Sequence, residues 1–92
     1  MIQKKSIAVL GSTGSIGTQA LEVVRSHREV FEVTVLVARR STELLIAQAL
    51  EFSPAVVVIS DEAYYHEVRQ ALSHTSIEVM AGSEAIAEAV VR

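Results

Sequence analysis

Short apolar runs alternate along the chain with longer segments in which apolar residues recur every three or four positions. Four runs have the length and composition of buried strands: residues 6–10, 33–37, 55–59 and 77–80. The third is the clearest, because every residue after Ala55 in it is β-branched. A parallel strand that is covered on both sides is typically such a continuous apolar run.

The segments between the runs have the spacing of amphipathic helices. The first is predicted from Ile16 to about His27, with Ala20, Val23 and Val24 on the same apolar side as Ile16. The second is expected to end at Pro54 with an extended residue before it, because proline disfavours helical geometry in the preceding residue. Its predicted apolar stripe is Leu44, Leu45, Ala49 and Phe52. The expected starts of the second, third and fourth helices are Ser41 or Thr42, Ser60 or Asp61, and Gly82 with Ser83.

The order of elements is therefore β-α-β-α-β-α-β-α, which is typical of an α/β fold. Right-handed crossovers then give a Rossmann-like parallel sheet with helices on both faces. Ligands of such sheets bind beyond the carboxyl ends of the strands. A full six-stranded dinucleotide fold needs more than these 92 residues, so we expect an incomplete fold that belongs to a larger enzyme.

Composition excludes several classes of function. A formal net charge of −3 argues against binding to nucleic acid, which usually requires a basic excess. The absence of cysteine removes disulfides, zinc–thiolate sites and thiol nucleophiles. The longest wholly apolar run, residues 55–59, is far shorter than the roughly 18 residues of a membrane span, so no membrane is expected as a partner. We find neither a metal-ligand cluster nor a nucleophile paired with a base.

A glycine loop at residues 11–17 follows the first strand and opens the first helix. It contains three of the four glycines of the chain, and its spacing is G-x-x-G-x-x-G. Gly11 is expected to turn the chain off the strand, Gly14 to let backbone approach a diphosphate, and Gly17 to let the helix pack closely on the strand. Free amides at the helix start then favour an anion, with hydroxyl donors nearby. The alternative is a tight turn without a ligand. The predicted cofactor-binding residues of the loop are Gly11, Ser12, Thr13, Gly14, Ser15, Ile16 and Gly17, and the hydroxyl donors are Ser12, Thr13 and Ser15.

The end of the second strand is where dinucleotide folds choose between NAD and NADP. An acidic residue there would bind the adenosine ribose, but the chain has Arg39, Arg40 and Ser41 instead. Guanidinium groups suit the 2′-phosphate of NADPH, since arginine can bind phosphate through two parallel hydrogen bonds. The alternative is a solvated basic loop.

The chain resembles one known family along essentially its whole length. Residues 9–19 closely resemble the start of 1-deoxy-D-xylulose 5-phosphate reductoisomerase, and residues 21–25 look like the first helix of that family. Residues 31–33, 51–54 and 79–82 resemble its segments around the second, third and fourth strands. The family usually has Ala-Gly-basic-Asn after its second strand, so Arg39 stands where glycine is expected.

The resemblance implies an oxidoreductase of isoprenoid biosynthesis. Such enzymes rearrange 1-deoxy-D-xylulose 5-phosphate and reduce the intermediate with NADPH to 2-C-methyl-D-erythritol 4-phosphate. They hold Mg²⁺ or Mn²⁺ on carboxylates of a central catalytic domain, and they are homodimers of bacterial cytoplasm or plastid stroma. Residues 1–92 would be the N-terminal NADPH-binding domain, without the catalytic and C-terminal domains and inactive alone.

By the same resemblance, Thr13, Gly14, Ser15 and Ile16 would contact the cofactor, with Arg39, Arg40 and Ser41 near the 2′-phosphate. Two other functions remain open. One is a reductase domain like that of the semialdehyde dehydrogenases, which share a similar glycine motif, and the other is a non-catalytic nucleotide-binding module.

Overall fold

The computed structural model describes residues 3–91. The domain predicted at 1–92 also includes Met1, Ile2 and Arg92, which lie outside the described residues. The described chain forms four strands, four α-helices and one short 3₁₀ helix. In chain order they are β1 Lys5–Leu10, α1 Ser15–Ser26, β2 Phe31–Ala38, α2 Thr42–Phe52, β3 Val56–Ile59, a 3₁₀ turn Glu62–Tyr64, α3 Tyr65–Ala71, β4 Glu78–Ala81 and α4 Ser83–Val90.

The four strands form one parallel sheet in the order β1-β2-β3-β4. The register between β1 and β2 shifts once, so that Ile7 pairs with Val33 and Ala8 with Val35. The extra residue in β2 is Thr34, a local bulge. The predicted alternation of strands and helices is therefore confirmed, as is the parallel α/β fold.

Three helices cover one face of the sheet and a single helix covers the other. Leu21 of α1, Leu45 of α2 and Val68 of α3 belong to the larger apolar core, and Ala85 of α4 belongs to the smaller one. This follows from handedness, because right-handed crossovers that step in one direction across a sheet place their helices on the same face. The predicted helices on both faces are confirmed.

The face that α4 covers is left open over β1. Val9 is buried in β1, but Ser6 and Ala8 are exposed and Leu10 is 60% exposed. A groove of about 430 Å³ runs along this face from Ser6 to Val90. The prediction of β1 as a fully buried strand is thus wrong within residues 3–91, since only one of its faces is covered.

The apolar stripe of α1 is rotated from the predicted one, and that of α2 departs from it at a single residue. Ile16 is 83% exposed and Val23 is 54% exposed, whereas Leu21 and Val24 are buried. In α2, Leu44 is 43% exposed, whereas the other predicted stripe residues are confirmed: Leu45 and Ala49 are buried and Phe52 packs against the core. Several apolar residues offer more than one possible stripe, and only contact with the sheet decides which one is covered.

The helix ends also differ from the predictions in detail. Helix α2 does end just before Pro54, but Ser53 has left-handed geometry (φ 49°) instead of an extended one, and its amide donates to the Ala49 carbonyl. This hydrogen bond makes Ser53 a C-cap. The third helical segment begins as the 3₁₀ turn, where the Asp61 carboxylate accepts from the Ala63 amide. Within residues 3–91, none of the helices is both long enough and apolar enough to span a lipid bilayer.

Candidate cofactor-binding site

The loops that follow the four parallel strands lie in a row along the carboxyl edge of the sheet. Backbone hydrogen bonds tie neighbouring loops together: the Ser60 amide donates to the Ala38 carbonyl at 2.9 Å, and the Gly82 amide donates to the Ile59 carbonyl at 3.0 Å. The glycine loop joins this row through β2, because the amides of Gly11 and Ser12 both donate to the Val37 carbonyl at 2.8 Å. The edge where ligands of such sheets bind is therefore a connected surface.

The glycine loop leaves β1 in a conformation that requires glycine at its first position. Gly11 has a φ of +78°, a region that side chains rarely adopt. The Gly14 amide then donates back to the Gly11 carbonyl at 3.1 Å, which closes the turn. The predicted role of Gly11 in turning the chain is confirmed.

Gly17 is where α1 packs against the glycine loop. A Cβ atom at this position would overlap the carbonyl oxygen of Gly11 and come within 2.8 Å of the Ser12 Cα atom. Those atoms are backbone and have no side-chain freedom to move away. Close packing at Gly17 is confirmed, but the contact is with the loop backbone that follows β1 and not with the strand itself.

The amides at the start of α1 are left without acceptors. The N-cap residue, Gly14, has no side chain to accept from them, and the first backbone bond is from Thr18 to the Gly14 carbonyl. Within residues 3–91 the amides of Ser15, Ile16 and Gly17 donate to no carbonyl or side chain. Together with the helix dipole, such amides favour an anion, and the exposed Gly14 and Ser15 leave room for one.

Ser12 does not offer its hydroxyl to this surface as expected. The residue has no exposed area, and its Oγ atom has no hydrogen-bond partner in the described part of the chain. The expectation of a Ser12 hydroxyl donor is wrong because the side chain points into the protein. What holds Ser12 instead is Gln48 of α2, whose Nε2 atom donates to the Ser12 carbonyl at 2.8 Å.

Gln48 is a residue that the sequence patterns missed. It is only 6% exposed, although it lies on a helix whose other buried positions are mostly apolar. The available signal was a glutamine between Leu45 and Ala49 on the buried side of α2. A buried amide needs hydrogen-bond partners, so such a residue on a core-facing stripe indicates a specific polar contact.

We call residues 39–41, which follow β2, the arginine corner. Its Arg39, Arg40 and Ser41 are all exposed. The Nε atom of Arg40 lies 3.8 Å from Oδ2 of Asp61, and the Asp61 amide donates to the Arg39 carbonyl at 3.1 Å. The Arg39 side chain has no ionic partner among residues 3–91. The corner thus carries two cations, of which one is loosely paired.

Arg39 causes no backbone strain at the position where glycine was expected. Ser53 is the one residue other than glycine that has a positive φ in the described range 3–91. The chain at Arg39 therefore has a geometry that any residue adopts.

A charged cluster joins the far ends of α1 and α2. Arg25 and Arg28 both pair with Glu51, and both guanidinium groups lie over the ring of Phe52. The hydrogen bond from Arg25 is the main reason that the pKa of Glu51 falls below its usual value. Because these groups already bind one another, we assign the cluster a structural role, which is to hold the two helices together.

Metal-ligating side chains are not clustered in the described part of the chain. No group of three or more His, Asp or Glu side chains comes close enough together within residues 3–91 to hold a metal ion.

Comparison with known proteins gives consistent matches. The family model for 1-deoxy-D-xylulose 5-phosphate reductoisomerase matches residues 7–92. The reductoisomerase of Bacteroides fragilis is 51% identical over 89 residues, which is 97% of this chain and 23% of the relative. That of Rhodospirillum centenum is 41% identical, over 96% of this chain and 22% of the relative. The chain thus spans about a quarter of the length of the curated relatives it matches.

Solved structures agree in fold as well as in sequence. The reductoisomerase from Zymomonas mobilis in complex with NADPH superimposes with a TM-score of 0.91 at 33% identity, over 95% of this chain and 23% of that one. A DOX-P reductoisomerase in complex with NADPH, fosmidomycin and magnesium superimposes with a TM-score of 0.85 at 29% identity, over 91% of this chain and 21% of that one. The chain belongs to the 1-deoxy-D-xylulose 5-phosphate reductoisomerase family.

Proposed function

We propose that residues 1–92 form the N-terminal NADPH-binding domain of an oxidoreductase of isoprenoid biosynthesis. The full-length enzyme isomerises and reduces 1-deoxy-D-xylulose 5-phosphate to 2-C-methyl-D-erythritol 4-phosphate. NADPH supplies the hydride for the reduction, and the present residues bind and orient it. The observation that carries the proposal is the set of unpaired amides at the start of α1, in a chain that resembles two solved reductoisomerase complexes with NADPH.

The residues fit the two anionic parts of NADPH. The diphosphate lies at the glycine loop, on the amides of Ser15, Ile16 and Gly17 and the open backbone of Gly14. The adenosine 2′-phosphate lies at the arginine corner, where Arg39 and Arg40 give two positive charges and Ser41 a hydroxyl. Because Arg39 has no ionic partner within residues 3–91, it is free to add a phosphate contact that the usual glycine lacks.

Other properties of the enzyme depend on the rest of the polypeptide. Mg²⁺ or Mn²⁺ is held by carboxylates of the catalytic domain. The enzyme is a homodimer of the bacterial cytoplasm or of the plastid stroma. Residues 1–92 alone have no turnover, since the groups that bind metal and sugar phosphate lie elsewhere. Detectable reductoisomerase activity of this piece would contradict that assignment.

Binding of the two nicotinamide cofactors to the full-length polypeptide tests the function. Titration followed by the fluorescence of the reduced nicotinamide is expected to give a lower Kd for NADPH than for NADH, because only NADPH carries the 2′-phosphate. Absence of NADPH binding would overturn the proposal. Equal affinity for both cofactors would remove the role of the arginine corner and leave that of the glycine loop.

A further inference from the structure

Gln48 reaches the glycine loop from a different element. It lies on α2, and its Nε2 atom donates at 2.8 Å to the carbonyl of Ser12, 36 positions earlier in the chain. Both residues are buried, with Gln48 6% exposed and Ser12 fully covered. A buried hydrogen bond of this kind is shielded from competing water, so it holds the orientation of the group that it contacts.

That group is a peptide unit whose other end is an amide of the loop. The Ser12 carbonyl and the Thr13 amide share one planar unit, and no peptide bond within residues 3–91 is cis. In a trans peptide the C=O and N–H bonds point in opposite directions. A carbonyl that is fixed toward Gln48 and the core therefore directs the Thr13 amide away from the core.

The Thr13 amide has nothing else to bind. It donates to no acceptor in the described part of the chain, and Thr13 is partly exposed beside Gly14. Ser12 is restrained on its other side too, since its own amide donates to the Val37 carbonyl at 2.8 Å. If the Ser12–Thr13 peptide turned over, it would present a carbonyl oxygen where the Thr13 amide now points, and a phosphate would be repelled.

We infer that Gln48 is a positioning residue, which holds the Ser12–Thr13 peptide so that the Thr13 amide faces the cofactor diphosphate. The inference rests on the proposed binding of NADPH at the glycine loop. Gln48 acts through the Ser12 backbone and does not touch the cofactor. Gln48 therefore contributes to binding of the diphosphate, which NADPH and NADH share, and not to binding of the 2′-phosphate.

The test uses Gln48→Met in the full-length polypeptide. Methionine keeps the length and volume of the side chain but cannot donate to the carbonyl. We expect the Kd values of NADPH and of NADH to rise by the same factor, roughly tenfold, which corresponds to the loss of about one hydrogen bond of positioning. The KM of the sugar phosphate and kcat at saturating NADPH are expected to stay within twofold of wild type.

A matched control accompanies this variant. Gln70→Met removes the same amide from an exposed position on α3 and should leave both Kd values unchanged. Melting temperatures of all variants report whether each is folded. If Gln48→Met does not fold, Gln48→Asn, whose amide is one methylene too short, gives the same measurement.

The outcomes separate the two proposals. If the wild-type polypeptide does not bind NADPH, the proposed function fails. If the wild type binds and a folded Gln48→Met variant binds equally well, the positioning role fails and the function stands. A rise in Kd for NADPH alone, or an equal rise in the KM of the sugar phosphate, would also overturn the role, because neither reflects an effect on the diphosphate.

Discussion

The glycine loop and the arginine corner lie on the same edge of the sheet but are built in opposite ways. In the glycine loop, contacts between backbone atoms leave no space at Gly17, and Gln48 fixes Ser12 from behind. In the arginine corner the side chains are exposed, and Arg40 has one ion pair at 3.8 Å. The first region thus presents backbone amides held by packing, and the second presents exposed charge. Rigid geometry suits a diphosphate that every dinucleotide carries, while exposed charge suits discrimination by the 2′-phosphate.

The largest effect is expected from Gly17→Ala, which disturbs the packing of the glycine loop. Its Cβ atom would overlap backbone of Gly11, so the loop or the helix has to shift. We expect the free energy of unfolding to fall by about 3 kcal/mol, as in other overpacked sites. Urea unfolding of the full-length polypeptide measures this change in free energy. Gly14→Ala, the same substitution at a less crowded glycine of the loop, is the control. Wild-type stability would show that the helix start is not packed as described.

Gly14→Ala should separate binding from stability. The nearest atom to a Cβ atom at this position is the Gly11 carbonyl oxygen at 3.5 Å, and the φ of −81° is one that alanine adopts. The loss of a glycine N-cap is expected to cost only about 1 kcal/mol. If the diphosphate binds at the glycine loop as proposed, the methyl group would stand in its way, so the Kd for NADPH should rise at least tenfold, as about 1.4 kcal/mol would produce. Unchanged affinity for NADPH would place the diphosphate elsewhere.

Substitutions in the arginine corner should affect one cofactor only. For Arg39→Ala and Arg40→Ala we expect the Kd for NADPH to rise severalfold each, with that for NADH unchanged, because an exposed guanidinium gives about 1 kcal/mol or less to a phosphate in water. The effect should shrink as salt is added. Arg69→Ala, an exposed arginine on α3, is the control. An equal loss of affinity for the two cofactors would mean that the arginine corner does not bind the 2′-phosphate.

The smallest effect is expected away from the edge, from Glu51→Gln. Pairing with Arg25 holds the pKa of Glu51 below its usual value, so the folded state favours the carboxylate. The stabilisation is therefore full at neutral pH and is lost as the pH falls through that lowered pKa. The groups are partly exposed and screened, so the change is small. Urea midpoints of wild type and variant should differ at pH 7 and converge in acid, and a constant difference would contradict this.

The pattern of residues predicted the order and type of all four strand–helix pairs, since apolar periodicity reports which local structure can bury its side chains. It also predicted the turn at Gly11 and the close packing at Gly17, because glycine spacing directly limits how a loop can turn and pack. The predicted stripe of α1 was wrong at Ile16 and Val23, and that of α2 was wrong at Leu44 alone, because these apolar residues lie outside the contact with the sheet. Apolar composition alone does not fix the rotation of a helix.

By itself, the sequence determined an α/β chain whose glycine loop opens the first helix and whose second strand ends in two arginines. Only the tertiary structure decided which face of β1 is covered, that the Ser12 hydroxyl points inward, and that Gln48 holds the loop from 36 positions away. The reason is physical: local periodicity encodes hydrogen bonding within an element, whereas contacts between distant elements depend on how the sheet and its helices pack together.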